Sequence, residues 1–145
     1  MGLSDGLNDP NKKASLVADS VKLIDDQIAA KSGIGGLGWK AAYAAVKGVM
    51  PGYIAGAIDR LLPEVLPTLD PMWSEGTQTG DPVGYLTQNR SRAADAVLSV
   101  TDARIERTNN GVVRGSYNKL RGSAKSEVEE AIPALAKIID NYTKS

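Results

Sequence analysis

A chain of 145 residues with 42% hydrophobic and 23% charged residues has the composition of one folded domain. Its 17 basic and 17 acidic residues cancel, so no general field favours nucleic acid or an anionic membrane. The sequence has no cysteine and no histidine. These absences exclude disulfides, thiolate nucleophiles, cysteine-ligated metals and Ser–His–Asp chemistry within the chain. We therefore expect a protein that is not an enzyme and that carries no cofactor.

The first residues are polar and rich in glycine, and they lack the apolar core of a signal peptide. No segment of the sequence reaches the 18 or more apolar residues of a membrane span. We expect a cytoplasmic protein in which residues 1–9 form a flexible segment.

Helical periodicity begins at Pro10, with Asp9 as the predicted N-cap. The apolar stripe predicts a helix to Lys31, ended by Gly33. An alanine-rich second helix is predicted over Leu37–Met50, and a Pro-Gly pair ends it.

A third helix is predicted over Tyr53–Leu62, and three prolines follow at four-residue intervals, Pro63, Pro67 and Pro71. Because proline lacks an N–H and clashes with the preceding turn, we expect short helical pieces joined by kinks here. A polar loop is predicted over Ser74–Gly80.

The pair Asp81-Pro82 repeats the helix-start signal and predicts a long helix to about Thr108. After the stop at residues 109–111, a short helix is predicted over Val112–Arg121. A last helix is predicted from Ser123 or Ser126, with Pro133 as a kink or a break. Together these segments predict an all-α fold: one domain over residues 1–145, a compact bundle of five or six helices, irregular where prolines interrupt.

Several segments of the chain resemble one family: Lys31–Gly35, Lys40–Lys47, Met50–Tyr53, Ala57–Pro63, Val100–Arg104, Tyr117–Gly122 and Ala131–Leu135. The family is one of small bacterial proteins, from actinobacteria and cyanobacteria, that form a domain of unknown function. The resemblance implies one intact domain from a bacterial source. It implies no activity, cofactor or site residue.

Gly33, Gly35 and Gly38 match the spacing of a dinucleotide-binding loop. That loop requires a preceding strand and a parallel sheet, and neither is predicted here. We interpret these glycines as a turn between helices.

Acidic side chains recur along one face of the helix predicted after Pro82, at Asp95, Asp102 and Glu106. Oxygen ligands in a row suit a hard cation such as Mg²⁺. Arginines flank this row, however, and amphipathic helices keep their charges in water. We interpret the row as a solvated outer face.

A basic stretch follows, and it offers a candidate patch for an anion or a partner: Arg104, Arg107, Arg114, Lys119, Arg121 and Lys125. Such a patch suits phosphates, acidic protein surfaces or single-stranded nucleic acid. The alternative is a solvated corner between helices whose cations pair with nearby carboxylates.

Aromatic residues fall in the middle of the chain and are candidates for lining a pocket: Trp39, Tyr43, Tyr53 and Trp73. They suit a small-molecule or lipid site between imperfectly packed helices. The alternative is ordinary core packing in a chain without phenylalanine.

From these patterns we expect a non-catalytic helical module that binds another protein or a second copy of itself. Such a module needs an exposed apolar patch. The alternative is a protein that binds a small apolar or anionic ligand. Phosphate or nucleic-acid binding through residues 104–125 ranks third.

Overall fold

The computed structural model describes residues 3–30, 33–49 and 52–144. In these ranges a 3₁₀ helix at Leu3–Asn8 precedes six α-helices: α1 (Pro10–Ala29), α2 (Gly33–Val49), α3 (Tyr53–Gln78), α4 (Pro82–Gln88), α5 (Arg90–Glu106) and α6 (Gly111–Lys144). The described residues contain no strand, and the all-α prediction is confirmed. Lys31, Met50 and Pro51, which belong to predicted elements, lie outside the described residues.

Polar side chains cap three of the helices, because the first N–H groups of a helix have no partner within it. The Asp9 carboxylate accepts from the N–H groups of Asn11 and Lys12, and this confirms the predicted start of α1. Asp81 accepts from Gly84 N–H at 2.9 Å at the start of α4, also as predicted.

Residues 109–111 were predicted only as a stop. In the structure, the Asn110 side chain accepts from the N–H groups of Val112 and Val113 at 2.9 and 3.1 Å. The segment that ends one helix therefore also caps the next.

The predicted division of residues 63–73 into short helical pieces is wrong, and so is a loop that begins at Ser74, because α3 runs unbroken for 26 residues to Gln78. Its three prolines, Pro63, Pro67 and Pro71, recur on one exposed stripe of the helix. The carbonyls deprived of an N–H partner belong to Asp59, Pro63 and Pro67, which are themselves exposed, so water can satisfy them. The opposite face of α3 buries Leu62, Leu66, Leu69, Met72 and Trp73, and this burial keeps the segment helical.

The long helix predicted to Thr108 is divided at Asn89 into α4 and α5. The Asn89 side chain donates to the Tyr85 carbonyl at 2.9 Å and so competes with the helical backbone.

The break predicted near Ser123 is also absent, since α6 continues for 34 residues with Pro133 inside it. Ser123 is not a cap there. Its hydroxyl donates back to the Leu120 carbonyl within α6 at 3.1 Å.

The glycines interpreted as a turn lie instead in the first turns of α2, which begins at Gly33. Glycine disfavours a helix by about 1 kcal/mol relative to alanine but does not prevent it. Gly36 is buried, so packing supports this helix start.

The two longest helices, α3 and α6, do not approach each other closely along their described backbones. All the other described elements, including the N-terminal 3₁₀ helix, contact both of them. Side chains, and not direct contact of the two backbones, therefore decide how much of the space between α3 and α6 is filled.

At one end of the bundle this space is densely filled. The side chains that are almost completely buried are large and aliphatic: Leu16, Leu66, Leu69, Leu86, Ile132 and Ile139. The 3₁₀ helix closes this end, with Leu3 buried and its N–H donating to the Asp70 carboxylate at 3.2 Å. Residues 3–8 of the segment expected to be flexible are thus packed against α3.

We expect Pro67→Ala to raise the free energy of unfolding by about 1–2 kcal/mol, because alanine restores an N–H in the interior of a continuous helix. Urea unfolding followed by circular dichroism measures this change. Pro10→Ala is the matched control, since the first helical position needs no N–H and should gain nothing. Equal stability of Pro67→Ala and the unaltered protein would contradict a regular helix at Pro67.

We expect Gly76→Ala to lower the free energy of unfolding by about 1–3 kcal/mol, because an added Cβ overpacks the contact of α3 with α4. That Cβ would lie 2.8 Å from the Pro82 Cα and 2.9 Å from the Tyr85 Cβ. Gly115→Ala in α6 meets no atom within 4 Å and should stabilise by about 0.5–1 kcal/mol. Thermal unfolding measures the melting temperatures of both variants. A shift of both in the same direction would contradict the close approach of α3 and α4 at Gly76.

Candidate functional site

At the other end of the bundle, α1, α2, α3, α5 and α6 surround a cavity of about 440 Å³. Protein interiors hold few voids larger than a water molecule, whereas ligand sites have volumes of roughly 300–1,000 Å³. The lining is mainly aliphatic: Ile24, Ile28, Val46, Ile54, Ile58, Leu61, Val97, Leu98, Ile105, Val113, Leu120 and Val128. The cavity is partly open to solvent, and Arg60, which lines it, is exposed; we call this part of its rim the mouth.

Alanines contribute short side chains to the lining of the cavity. Ala42 of α2, Ala57 of α3 and Ala124 of α6 all line the cavity. The filled end of the bundle places leucine and isoleucine between the same two long helices. Because the other helices hold α3 and α6 apart, methyl side chains cannot close the gap at this end.

The structure brings together three of the four aromatic residues proposed for a pocket. Trp39, Tyr43 and Tyr53 line the cavity. Trp73 does not; it lies 8% exposed in the filled core and lines a separate pocket with Asp70 and Thr77.

Tyr117 is a further aromatic residue that lines the cavity, although it was not among the four candidates for a pocket. Its spacing from Val113 and Leu120, which also line the cavity, placed it on the same stripe of α6. That spacing was the signal that could have identified it.

Polar contacts of two aromatic residues hold α2 over the cavity. Trp39 Nε1 donates to Ser123 Oγ of α6 at 3.2 Å. The Tyr43 hydroxyl donates to Asp25 of α1, and Lys47 lies 3.5 Å from the same carboxylate. Burial, followed by the hydrogen bond to Asp25, raises the pKa of Tyr43 far above its ordinary value.

A hydrogen-bonded group joins α5 to α6 at the cavity wall. Tyr117 donates to Asp102, and Thr101 Oγ1 lies 2.8 Å from the Tyr117 oxygen. Arg121 binds the Asp102 carboxylate with both ends of its guanidinium, at 2.8 and 3.0 Å. Chiefly through the Arg121 hydrogen bond, the pKa of Asp102 falls below its ordinary value. Burial, with a smaller effect of Asp102, raises the pKa of Tyr117 to about 12.

The interpretation of this row as a solvated outer face agrees with Asp95, which is exposed, but it missed that Asp102 is half-buried and that both carboxylates pair with cations of α6. Both carboxylates face α6, where Asp95 lies 3.2 Å from Lys125 Nζ. The periodicity of α5 identified its polar face but could not show that a neighbouring helix would pack against that face. Within the described residues, no group of acidic side chains is arranged to hold a metal ion.

The six side chains of the basic stretch lie in three different environments. Arg104 and Arg107 both face Glu64 of α3, each at 3.5 Å. Arg121 and Lys125 pair with the carboxylates of α5. Arg114 and Lys119 are exposed on α6, with no carboxylate partner in the described part of the chain. The six side chains thus do not form one continuous cationic patch.

The fold and the site together define an all-α bundle with an apolar cavity between its helices. The chain belongs to the Family of unknown function (DUF6918), whose model matches residues 3–143. This match confirms the resemblance to a family of unknown function, and the bacterial source stays a prediction. No curated protein and no solved structure matches the chain. Among the described helices, none is long and apolar enough to cross a membrane.

We expect Asp102→Asn to lower the free energy of unfolding at pH 7 by about 1 kcal/mol, a value reduced for the partial exposure of the pair. The matched control is Asp95→Asn, which removes a more exposed single-point pair and should cost less than about 0.5 kcal/mol. Urea titrations of the three proteins measure both differences.

The effect of Asp102→Asn should depend on pH. Because the folded pKa of Asp102 lies below the unfolded value of about 3.9, its contribution is present above that value. The contribution is lost as the pH falls through the lowered folded pKa. Unfolding at pH 7, 5 and 3 should give equal deficits at the two higher values and a smaller one at pH 3. A deficit that grows on acidification would contradict this assignment.

Proposed function

We propose that the protein binds a small, mainly apolar molecule in the interhelical cavity and holds it without chemical change. The cavity itself carries the proposal: about 440 Å³ of space, walled by aliphatic and aromatic side chains. An apolar molecule that fills this space is stabilised by its transfer out of water and by van der Waals contacts with the lining, which the short alanine side chains do not make with each other.

The described surface gives less support to the protein-interaction hypothesis that led the sequence analysis. That hypothesis needs a contiguous exposed apolar patch. Val112, at 40% exposure, is the only large hydrophobic residue exposed among the described residues. Phosphate or nucleic-acid binding also loses support, because most cations of residues 104–125 pair with carboxylates of the same chain.

The chemistry of the lining supports binding rather than catalysis. The described lining residues include no carboxylate, no amine, no thiol and no imidazole. Tyr117 ionises only near pH 12, and arginine stays protonated throughout the physiological range. General acid–base catalysis needs a group that titrates near the working pH, and this cavity wall supplies none. The cytoplasmic location expected from the sequence stays a prediction.

Filling the cavity tests the proposal. We expect Ala42→Leu to weaken binding of aminoanthracene, a neutral apolar fluorophore, at least about tenfold, because the larger side chain occupies the ligand's space. Fluorescence titration of the protein with this probe measures the dissociation constant.

Ala44→Leu is the matched control. Ala44 lies on the same helix but is exposed and does not line the cavity, so its affinity for aminoanthracene should equal that of the unaltered protein. Leucine is nearly as good a helix former as alanine, and both variants should keep α2. No binding by the unaltered protein, or equal binding by all three proteins, would reject the proposed site.

A further inference from the structure

The mouth of the cavity carries a cation, Arg60, that has no ion-pair partner among the described residues. Arg60 lines the cavity from α3 and is exposed. Its guanidinium lies 6.0 Å from the centre of the Tyr53 ring, where a cation and an aromatic face attract each other. Within the described residues, no carboxylate lies within ion-pair distance of Arg60.

The backbone near Arg60 leaves room for its guanidinium. Gly56 lies one turn earlier on α3, and a Cβ added there would meet Arg60 Nη1 at 3.4 Å. The guanidinium thus lies against the start of α3, beside Tyr53. Since Tyr53 also lines the cavity, a molecule inside would extend toward this charge.

The charged side chains around Glu64, which lies one turn after Arg60 on α3, add to the positive character of the mouth. Arg104, which also lines the cavity, shares Glu64 with Arg107, and both distances are 3.5 Å. One carboxylate therefore serves two guanidinium groups. Among the described residues that line the cavity, Arg60 and Arg104 are the charged ones, and both are cations.

The interior offers no comparable place for a charged group. Of the polar side chains in the lining, Thr101 and Tyr117 already bond to each other, and Tyr117 donates to Asp102. A second anion beside Asp102 would be repelled, and Arg121 is already held by both oxygens of that carboxylate. An anionic group would therefore remain at the mouth.

From this arrangement we infer that the ligand is an amphiphile: an apolar body inside the cavity and one anionic head group, carboxylate or phosphate, bound by Arg60 at its mouth. The inference rests on the proposed function and adds the chemical class of the ligand. Arginine binds carboxylate and phosphate with two parallel hydrogen bonds, which fixes the head group as well as attracting it.

A series of probes that share one alkyl chain tests the head group. We expect decanoate or decyl phosphate to bind at least about tenfold more tightly than decanol, because each gains a charge-assisted hydrogen bond at Arg60. Decylammonium should bind most weakly. Isothermal titration calorimetry below the micelle concentrations measures all four, and the tighter anion identifies the head group.

Arg60→Gln should bring the affinities for the anions to within about threefold of decanol and leave decanol itself unchanged. Because Arg60 is exposed and forms no ion pair with the described residues, this variant should fold normally. Arg114→Gln removes an exposed arginine that does not line the cavity and should keep the preference for anions.

The outcomes separate the two proposals. If decanol binds as tightly as the anions to the unaltered protein, the head-group inference fails and the apolar cavity site stands. If Arg60→Gln keeps the preference for anions, the assignment to Arg60 is wrong. If neither decanol nor aminoanthracene binds, the proposed function fails, and the inference fails with it.

Discussion

The separation between α3 and α6 is the constraint on which the interior of the bundle depends. The elements that contact both long helices keep them apart, so their distance is not set by the side chains they turn toward each other. Where those side chains are leucine and isoleucine, as at Leu66, Leu69 and Ile132, the space is filled. Where they are small, as at Ala57 and Ala124, the space remains as a cavity. One architecture therefore produces a rigid core at one end and a candidate binding site at the other.

The polar side chains around the cavity also differ between its wall and its mouth. Asp102, Tyr117 and Arg121 bond across the seam between α5 and α6, next to the cavity, and the bidentate contact fixes the wall against which a ligand would pack. At the mouth, Arg60 lacks such a partner among the described residues. The contrast between satisfied groups in the wall and a cation at the mouth with no ion-pair partner among those residues favours a ligand that is apolar over most of its length.

Much of the fold follows from the sequence, because periodicity and caps are local properties. Asp9 and Asp81 mark helix starts through interactions with residues only a few positions away. The errors arise where tertiary packing decides. Pro63, Pro67 and Pro71 predict kinks by local rules, but their common exposed stripe and the burial of the opposite face keep α3 continuous. Asn89 shows the reverse case, since one side-chain hydrogen bond divides an otherwise periodic helix.

The site was accessible to sequence reasoning only in part. Trp39, Tyr43 and Tyr53 were grouped because they are aromatic, and the structure places them around one cavity. Trp73 shares that chemistry but lies in the filled core. The arrangement of the helices decides which of them surround the cavity and places Arg60 at its mouth. Local patterns in a single sequence do not reveal that arrangement.

The attachment of α2 has a consequence for how the cavity fills. Val46 is the one buried side chain among those described in α2. The cross-helix polar contacts of α2 at Trp39 and Lys47 involve exposed groups, and the Tyr43 contact with Asp25 is only partly buried. Such contacts contribute little stability. We therefore expect detachment of α2 to require less free energy than unfolding of the bundle, and we expect the backbone amides of α2 to exchange with solvent through this local opening. A molecule can then enter the cavity while the leucine-rich end stays intact, and once bound it slows that exchange by mass action.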